Sequence, residues 1–303
     1  MAGQLRVYRR RIASVKATKQ ITRAQELIAT ARIVKAQQKV AASTPYAEEI
    51  TRAVSAVASR SNASHALTTE REPQPGTRPK AAVVVITSDR GFAGGYNSNV
   101  LREAEQLMQL LREQGKEPVR YVVGRKGVSY NAFRDRPMAG TWVGFSDNPA
   151  YTDARTVADE VIEAFLDDNG IDEIHLVSTR FISMLSQQPT TVRILPLVYE
   201  ETSEPPAGGV FPLYEFEPSP ERVLDELLPH YVRARIYNAM LQSAASEHAA
   251  RRRAMKSATD NASDLIDNLT RLANAARQAD ITQEISEIVG GANALADANV
   301  GSD

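Results

Sequence analysis

The residues best placed for chemistry form a glycine-rich turn at positions 88–97, directly after an apolar, β-branched run at 81–87. Turns of this kind lie where α/β folds bind phosphate groups. The glycines do not fit G-x-G-x-x-G, however, and no Lys-Ser/Thr pair follows as a P-loop requires. Asp89 would also repel a phosphate unless it were paired with Arg90. We therefore predict a structural turn between strand and helix, with a phosphate site as the alternative.

Other motifs give no support for catalysis. The stretch at 124–127 resembles a phosphate loop in composition only, and we interpret it as a solvated basic turn. Acidic pairs at 167–168 and 172–173 flank a simple turn. The G-x-S-x-G motif is missing, cysteine is absent, and the four histidines are scattered. We expect no catalytic centre, no metal site and no cofactor.

Composition predicts a soluble protein of a reducing compartment, with one or two domains in 303 residues. No apolar run is long enough to span a bilayer, and the N-terminus does not fit a signal peptide. The net charge of -1 hides an asymmetry, because residues 1–40 hold ten Lys or Arg and a single acid, Glu26. A basic helical arm suggests an acidic partner, such as nucleic acid, anionic lipid or protein; the alternative is a solvated basic face.

The longest pattern in the chain is a C-terminal apolar repeat with alternating spacings of four and three residues. Its members are Tyr237, Leu241, Ala244, His248, Arg251, Met255, Ala258, Ala262, Leu265, Leu269, Leu272, Ala276 and Ala279. Such a repeat is typical of a helix that supercoils against a partner. The polar members His248 and Arg251 weaken the seam locally. The phase slips after Ala279, which predicts a change of supercoil or partner there.

The matching partner is an N-terminal helix over residues 1–58. Its apolar positions are Leu5, Tyr8, Ile12 and Val15, followed by Ala17, Ile21, Ala24, Ile28 and Ala31. Thr44 can cap a helix that restarts at Pro45. The two terminal helices most simply form an antiparallel coiled coil, and the alternative is that each packs in a separate bundle.

Between the helices, strand patterns at 81–87, 120–123, 173–179 and 191–198 alternate with helical patterns at 99–113 and 152–168. This alternation predicts a parallel, three-layer α/β domain over residues 81–200. Linkers at 59–80 and 201–219 join it to the terminal helices. The C-terminal helix covers 220–295 with a break or kink at Pro229, and residues 296–303 form a flexible tail.

Basic residues are predicted to form bands along both helices, where they offer contacts for an acidic loop of a partner. They are Arg32, Lys35, Lys39, Arg251, Arg252, Arg253 and Lys256. The alternative is a solubilised coil surface. Arg277 and Gln278, whose planar side chains offer several hydrogen bonds, lie just before the phase slip and suggest a contact there.

Residues 281–294 resemble a known protein family. Their sequence, ITQEISEIVGGANA, fits the family pattern I/V-T-x-E-x-x-D/E-x-x-x-G-A-x-A throughout. Further matches to the same family lie at 14–16, 19–22, 87–91, 94–97, 217–220, 227–229, 255–262 and 277–279. From end to end, the chain resembles the gamma subunit of bacterial F-type ATP synthases, which is the central rotor shaft.

The resemblance implies α/β plus a long helical coiled coil, in which N- and C-terminal helices pair antiparallel around a central Rossmann-like parallel domain. It implies one gamma per complex, with the coiled coil inside a hexamer of alpha and beta subunits. The Rossmann-like domain at the foot of the coil would lie on the c ring, beside the epsilon subunit. Proton flow would turn ring and shaft together. The chain itself would be non-catalytic, peripheral to the cytoplasmic face of the cell membrane, and in contact with the membrane only through the c ring.

Carried over by position, the resemblance also assigns residues to partners. A catch that contacts loops of the alpha and beta subunits would consist of Arg277 and Gln278. The collar that these loops form would also be contacted by Thr282 and Glu284. The apolar tip in a hydrophobic bearing would be Ile285, Ile288, Val289, Ala292 and Leu295. The basic bands would face the acidic loop of beta. The sequence departs from the family at Gln25, where Met is frequent, at Phe92, where Leu is common, and at Ala93, where Cys is common.

Two other functions are weighed against the shaft. A coiled-coil protein that binds nucleic acid or an anionic surface through its basic N-terminal helix predicts steeply salt-dependent DNA binding. Base-stacking aromatic residues are sparse in that helix. An α/β nucleotide enzyme with helical arms requires phosphate affinity at residues 88–97, where the P-loop lysine is missing.

Overall fold

The computed structural model describes residues 2–60, 77–167, 170–197, 217 and 219–300. Most of the linkers predicted at 59–80 and 201–219, Asp168 of the first acidic pair, and residues 301–303 of the predicted tail lie outside the described residues. The chain forms two compact units, one of residues 29–253 and one of residues 1–28 with 254–303. The helices are α1 (Ala2–Arg60), α2 (Tyr96–Glu113), α3 (Arg125–Ala132), α4 (Tyr151–Leu166) and α5 (Pro220–Val300).

The larger unit is built on a five-stranded sheet. The strands are β1 (Lys80–Ile86), β2 (Glu117–Val123), β3 (Gly140–Trp142), β4 (Glu173–Phe181) and β5 (Gln187–Leu195). Their order across the sheet is β3-β2-β1-β4-β5. β1 lies at the centre, parallel to both of its neighbours, as its continuous apolar run predicts.

The sheet is mixed, which corrects the predicted all-parallel arrangement. β3 is parallel to β2, but β5 runs antiparallel to β4. Residues 182–186 join these two strands, and a parallel crossover needs a connection of about a dozen residues or more. The hairpin is therefore imposed by the length of its connection.

The sequence patterns missed β3 and α3, and α3 replaces the solvated turn predicted at 124–127. Gly124 precedes α3 with a φ of 96°. A Cβ atom at this position would lie 2.3 Å from the carbonyl oxygen of Thr87, so only glycine allows the end of β1 to approach so closely.

Alternate residues of β1 point to two apolar layers. Ala81, Val83 and Val85 belong to a buried cluster with α2 on one face. On the other face, residues 82, 84 and 86 share a larger cluster with α4 and with segments of α1 and α5. Within this unit the long helices are therefore part of the core of the α/β domain, and the alternative of separate bundles is wrong.

Helix α1 continues through Pro45, so the predicted restart at this position is wrong. The hydroxyls of Ser43 and Thr44 donate to the carbonyl oxygen of Val40 at 3.2 and 2.8 Å. Asn238 of α5 donates to both hydroxyl oxygens at 3.1 and 3.2 Å. These side-chain bonds and the packing against α5 compensate for the backbone hydrogen bond that proline cannot make.

Helix α5 likewise continues through Pro229, so no break separates residues on its two sides. Leu228 and Val232, which flank this proline, are buried in the larger cluster, and this burial outweighs the intrinsic cost of proline in a helix. The helix also extends past the predicted boundary at 295 to Val300, because the alanine-rich stretch at 292–300 contains neither proline nor glycine.

In the smaller unit, α1 and α5 pair through a seam that contains polar side chains. The hydroxyl oxygens of Thr22 and Thr259 lie 2.7 Å apart, and both residues are buried. On α1, the covered positions continue from Thr22 towards the N-terminus, through Val15. On α5, they continue from Thr259 towards the C-terminus, through Ile266. The helices are therefore antiparallel, as predicted, and each keeps its steps of four and three.

On α1, however, the seam follows a different set of residues from the predicted one. Lys19, Thr22 and Glu26 continue the phase of Leu5, Tyr8, Ile12 and Val15. The predicted positions Ala17, Ile21, Ala24, Ile28 and Ala31 are exposed instead. Counting apolar residues was misleading, because a hydrogen bond between two hydroxyls satisfies both of them inside the seam.

On α5, three of the eight predicted seam positions in this unit are shifted by one residue. Met255, Ala258, Ala262, Leu269 and Ala276 are at least partly covered, as predicted, although Thr259 is more buried than its neighbour Ala258. Ile266, Ala273 and Asp280 are covered in place of Leu265, Leu272 and Ala279. Leu265 and Leu272 are 45% and 43% exposed.

A pair of leucine substitutions tests this seam. Leu269 is 6% exposed, so we expect Leu269→Ala to lower the free energy of unfolding by about 2–4 kcal/mol. Leu265→Ala, the matched control one helical turn earlier, should change it by no more than about 0.5 kcal/mol. Urea denaturation of the full chain followed by circular dichroism measures both. Equal losses in the two variants would contradict the shifted seam.

Candidate functional site on the long helices

The described side chains from Ile281 to Ala292 of α5 are all exposed. Arg277 and Gln278, one turn earlier, are exposed as well. The hydroxyl of Thr282 donates to the carbonyl oxygen of Gln278 at 2.9 Å, which leaves the Gln278 amide available. Within the described residues, the side chains of Arg277 and Gln278 bind no other group, so their donors point to water.

Apolar side chains form one stripe along this exposed segment. Ile285, Ile288, Val289 and Ala292 recur at the spacing of a single helical face, and Ile281 precedes them on it. Ile288 is 71% exposed and Val289 53%. The side chain of Leu295 lies outside the described part of the chain. A stripe of large apolar residues in water indicates a surface that a partner covers.

A basic face lies on α1 in the larger unit. Arg32, Lys35 and Lys39 line an open cavity of ≈ 400 Å³ together with Asp147 and Asn148. Arg32 forms an ion pair with Asp147, and Lys39 donates to the side-chain oxygen of Asn148 at 2.8 Å. Lys35 binds no group among the described residues, so this face keeps an uncompensated positive charge.

The basic residues of α5 do not form one exposed band. Arg251 is 7% exposed and lies inside the larger unit, which corrects its place in the predicted band. Arg252 is partly buried. Arg253 is exposed but donates to the carbonyl oxygen of Leu185 and to the side chain of Gln187. In the smaller unit, Lys256 is exposed and pairs with Asp260 at 3.1 Å.

Arg251 instead forms a buried ion pair that the sequence patterns did not predict. Its guanidinium lies 2.6 Å from the carboxylate of Glu247, which is 0% exposed, and it also donates to the carbonyl oxygens of Arg90 and Gly91 at 3.3–3.4 Å. The hydroxyl of Ser146 donates to Glu247 at 3.2 Å. A glutamate four residues before an arginine on one helix is the signal that could have revealed the pair.

The glycine-rich turn contributes a carboxylate that binds backbone amides of three neighbouring segments. Asp89 accepts hydrogen bonds from the amides of Arg125, Gly144 and Ser146 at 2.8–3.0 Å. Burial raises the pKa of Asp89, but these three hydrogen bonds outweigh it and the net effect lowers the pKa. Asp89 thus holds three other segments against the turn, which gives the turn a structural role, and its carboxylate places a negative charge where a phosphate would be repelled.

Burial dominates the protonation of the groups around Arg251. It raises the pKa of Glu247, although the Arg251 charge acts in the opposite direction. It lowers the pKa of His248 to about 4, while the hydrogen bond from His248 to the Asp147 carbonyl oxygen, 2.9 Å long, opposes the shift. His248 is therefore neutral near pH 7, and the charge that balances Glu247 comes from Arg251.

Metal-binding and membrane-spanning features are both absent from the described part of the chain. Histidine and acidic side chains do not cluster anywhere in it in a way that could hold a metal ion. No helix within it combines the length and the apolar character needed to cross a membrane.

The chain is similar in sequence to known proteins of one family. A family model described as ATP synthase matches residues 4–295. The ATP synthase gamma chain of Acidothermus cellulolyticus is 65% identical over 299 residues, which cover 97% of this chain and 98% of that protein. The gamma chain of Parafrankia sp. is 63% identical over 299 residues, which cover 98% and 99% of the two.

Solved structures share the fold. A chain in the Euglena gracilis mitochondrial ATP synthase, in the structure of OSCP, F1 and c-ring, aligns with a TM-score of 0.67 at 17% identity and covers 97% of this chain and 95% of its own. A chain in the central stalk and c-ring of the Tetrahymena thermophila enzyme aligns with a TM-score of 0.57 at 23% identity, and covers 78% and 99%. Similarity at these identities concerns the fold alone.

The buried pair can be tested by removing one partner and then both. Arg251→Met leaves the Glu247 carboxylate buried without its counter-charge, and we expect the free energy of unfolding to fall by about 3–5 kcal/mol. Glu247→Leu combined with Arg251→Met removes both charges and should recover a large part of that loss. Urea denaturation of the full chain measures both variants. A double variant that is no more stable than Arg251→Met would contradict this account.

The buried histidine predicts a pH dependence. Because the pKa of His248 lies at about 4 in the folded chain and at 6.5 ordinarily, the unfolded chain binds a proton between these values that the folded chain excludes. Stability should therefore fall as the pH drops from 6.5 to 4, by roughly 3 kcal/mol from this group. His248→Gln should flatten this part of the profile, measured by urea denaturation at each pH. His230→Gln, which removes an exposed histidine from the same helix, is the matched control for the substitution.

Proposed function

The chain belongs to the ATP synthase gamma-chain family, and on this premise we propose that it is the central rotor shaft of a bacterial F-type ATP synthase. In this role it couples rotation of the membrane c ring to ATP synthesis or hydrolysis at the beta subunits. The observation that carries the proposal is the exposed segment of α5 at 277–292, where polar residues precede an apolar stripe on a helix without a covering partner among the described residues.

An apolar stripe of this kind suits a bearing in which a helix turns without specific bonds. Dispersion and hydrophobic contacts are non-directional, so Ile285, Ile288 and Val289 can slide against an apolar sleeve at little cost. Hydrogen bonds are directional, and Arg277 and Gln278 therefore suit a catch that holds at particular angles. We assign Thr282 and Glu284 to the collar, and Ala292 and Leu295 to the bearing tip, in the hexamer of alpha and beta subunits.

The basic face of α1 supports a second contact with the hexamer. Lys35 has no counter-ion within the described residues, and it lies between Arg32 and Lys39 around an open cavity. An acidic loop of beta would find three cations there on one helix. With the buried Arg251 left out, Arg252, Arg253 and Lys256 are the remaining members of the basic bands that face beta in this proposal.

The remaining partners follow from the same role. The shaft is present once per complex, and its α/β domain rests on the c ring with the epsilon subunit beside it. This end of the shaft lies at the cytoplasmic face of the cell membrane. It touches the membrane only through the c ring. The chain itself is non-catalytic in this proposal, which is supported by the structural role of the Asp89 carboxylate in the glycine-rich turn.

The nucleic-acid alternative has no support among the relatives, which are named ATP synthase gamma chains.

Reconstitution tests the proposal. The chain is mixed with alpha and beta subunits from the same source, and we expect one copy per hexamer and faster ATP hydrolysis than without it. Arg277→Ala and Gln278→Ala should each slow hydrolysis by about tenfold, because each removes directional bonds worth about 1–2 kcal/mol from the catch.

The matched control is Arg271→Ala, which removes an exposed arginine from the same helix two turns before the catch. It should leave hydrolysis unchanged. All three variants should unfold at the same urea concentration as the parent chain, since none of the replaced side chains is buried. Full activity in both catch variants, or failure of the parent chain to join the hexamer, would overturn the proposal.

A further inference from the structure

Arginine side chains share a single carboxylate, that of Glu105, on the side of the sheet that α2 covers. Tyr121 of β2 belongs to the apolar cluster with α1, α4 and α5, so the preceding residue, Arg120, points to the opposite side. There its guanidinium lies 3.9 Å from the carboxylate of Glu105 on α2. Arg136, in the turn after α3, forms an ion pair with the same carboxylate. One negative charge thus serves two positive ones.

Arg120 is the buried member of this group, and its hydrogen-bonding capacity is incompletely used. The residue is 8% exposed, and its buried Nε atom has no hydrogen-bond partner among the described residues. Its contact with Glu105 is too long for a hydrogen bond. Burial lowers the pKa of Arg120; Glu105 opposes this shift, and the charges of Arg136 and Arg112 add to it. A buried cation in these surroundings is stabilised by any further negative group nearby.

The turn after α3 holds two more guanidiniums in fixed positions. Asp135 has a φ of 50°, which aspartate tolerates, and the amides of Arg134 and Arg136 both donate to the carbonyl oxygen of Asn131. The guanidinium carbons of these arginines lie 3.9 and 5.8 Å from the centre of the Tyr130 ring. Stacking on the ring limits the freedom of both side chains, so less entropy is lost when they bind a ligand.

Arg112 adds an exposed guanidinium from the last turn of α2, two turns after Glu105 on the same face of the helix. Its side chain binds no group in the part of the chain that the structure describes. Asp135 is exposed and pairs with none of these arginines there. The arginine cluster, defined as residues 112, 120, 134 and 136, therefore carries more positive charge than Glu105 neutralises.

We propose that the arginine cluster binds an oxyanion of the phosphate class, carried by a soluble phosphate compound or by a lipid headgroup. Guanidinium groups match the spacing of phosphate oxygens and donate to them in pairs. Arg112, Arg134 and Arg136 supply donors at the surface, and Arg120 contributes its charge from beneath them. Glu105 competes with the ligand for the same cations. The inference does not depend on the proposed rotor function.

Equilibrium dialysis of the full chain against radiolabelled inorganic phosphate tests the site. Arg136→Ala removes a surface donor, so the affinity should fall by about tenfold or more. Arg125→Ala is the matched control, because it removes an exposed arginine from the first position of α3, outside the cluster, and should leave the affinity unchanged. Glu105→Gln removes the competing charge and should strengthen binding several-fold, which a purely structural ion pair would not do.

Cosedimentation with vesicles separates the two sources of phosphate. Binding of inorganic phosphate with this order of variants supports a soluble ligand. Binding to phosphatidylglycerol vesicles but not to phosphatidylcholine vesicles, with the same order of variants, supports a lipid headgroup. Binding to neither probe, or equal affinities in Arg136→Ala, Arg125→Ala and Glu105→Gln, would overturn the site. The proposed function would then stand unchanged, since assembly with alpha and beta subunits tests it separately.

Discussion

The buried ion pair between Glu247 and Arg251 is the interaction on which the larger unit depends. A carboxylate that is 0% exposed is tolerated only beside a counter-charge, and Arg251 supplies it from the next turn of the same helix. The remaining guanidinium donors reach the glycine-rich turn, and the remaining carboxylate oxygen reaches Ser146. One pair of charges thus fixes two loops of the α/β domain to α5. His248 beside it stays neutral mainly because burial lowers its pKa, and the Arg251 charge acts in the same direction.

Asp89 plays the complementary part in the loops. Its carboxylate collects the amides of residues 125, 144 and 146, so three segments that are distant in sequence meet at one point. Asp89 therefore fixes the loops of the α/β domain to one another, while the Glu247–Arg251 pair fixes those loops to α5.

The smaller unit shows how polar residues are distributed along paired helices. Thr22 and Thr259 satisfy each other inside the seam, while Ile281, Ile285 and Ile288 are exposed. This reverses the usual arrangement of apolar residues inside and polar residues outside. The reversal is physically reasonable only if the exposed isoleucines meet a partner. The proposed bearing in the hexamer supplies one.

The sequence alone determined the two terminal helices, the α/β character of the middle, the apolar strand at 81–87 and the family motif at 281–294, because each rests on local periodicity or on contiguous residues. It also identified the structural role of the turn at 88–97 through the missing P-loop lysine. Only the tertiary structure decided the rest. The direction of β5 followed from a short connection, and the continuity of α1 through Pro45 followed from hydrogen bonds to Asn238, far away in sequence. The seam was shifted because apolar counting cannot recognise that two threonines will face each other. The burial of Arg251 depended on loops at 90–91 and 146, which no helical pattern on α5 can reveal.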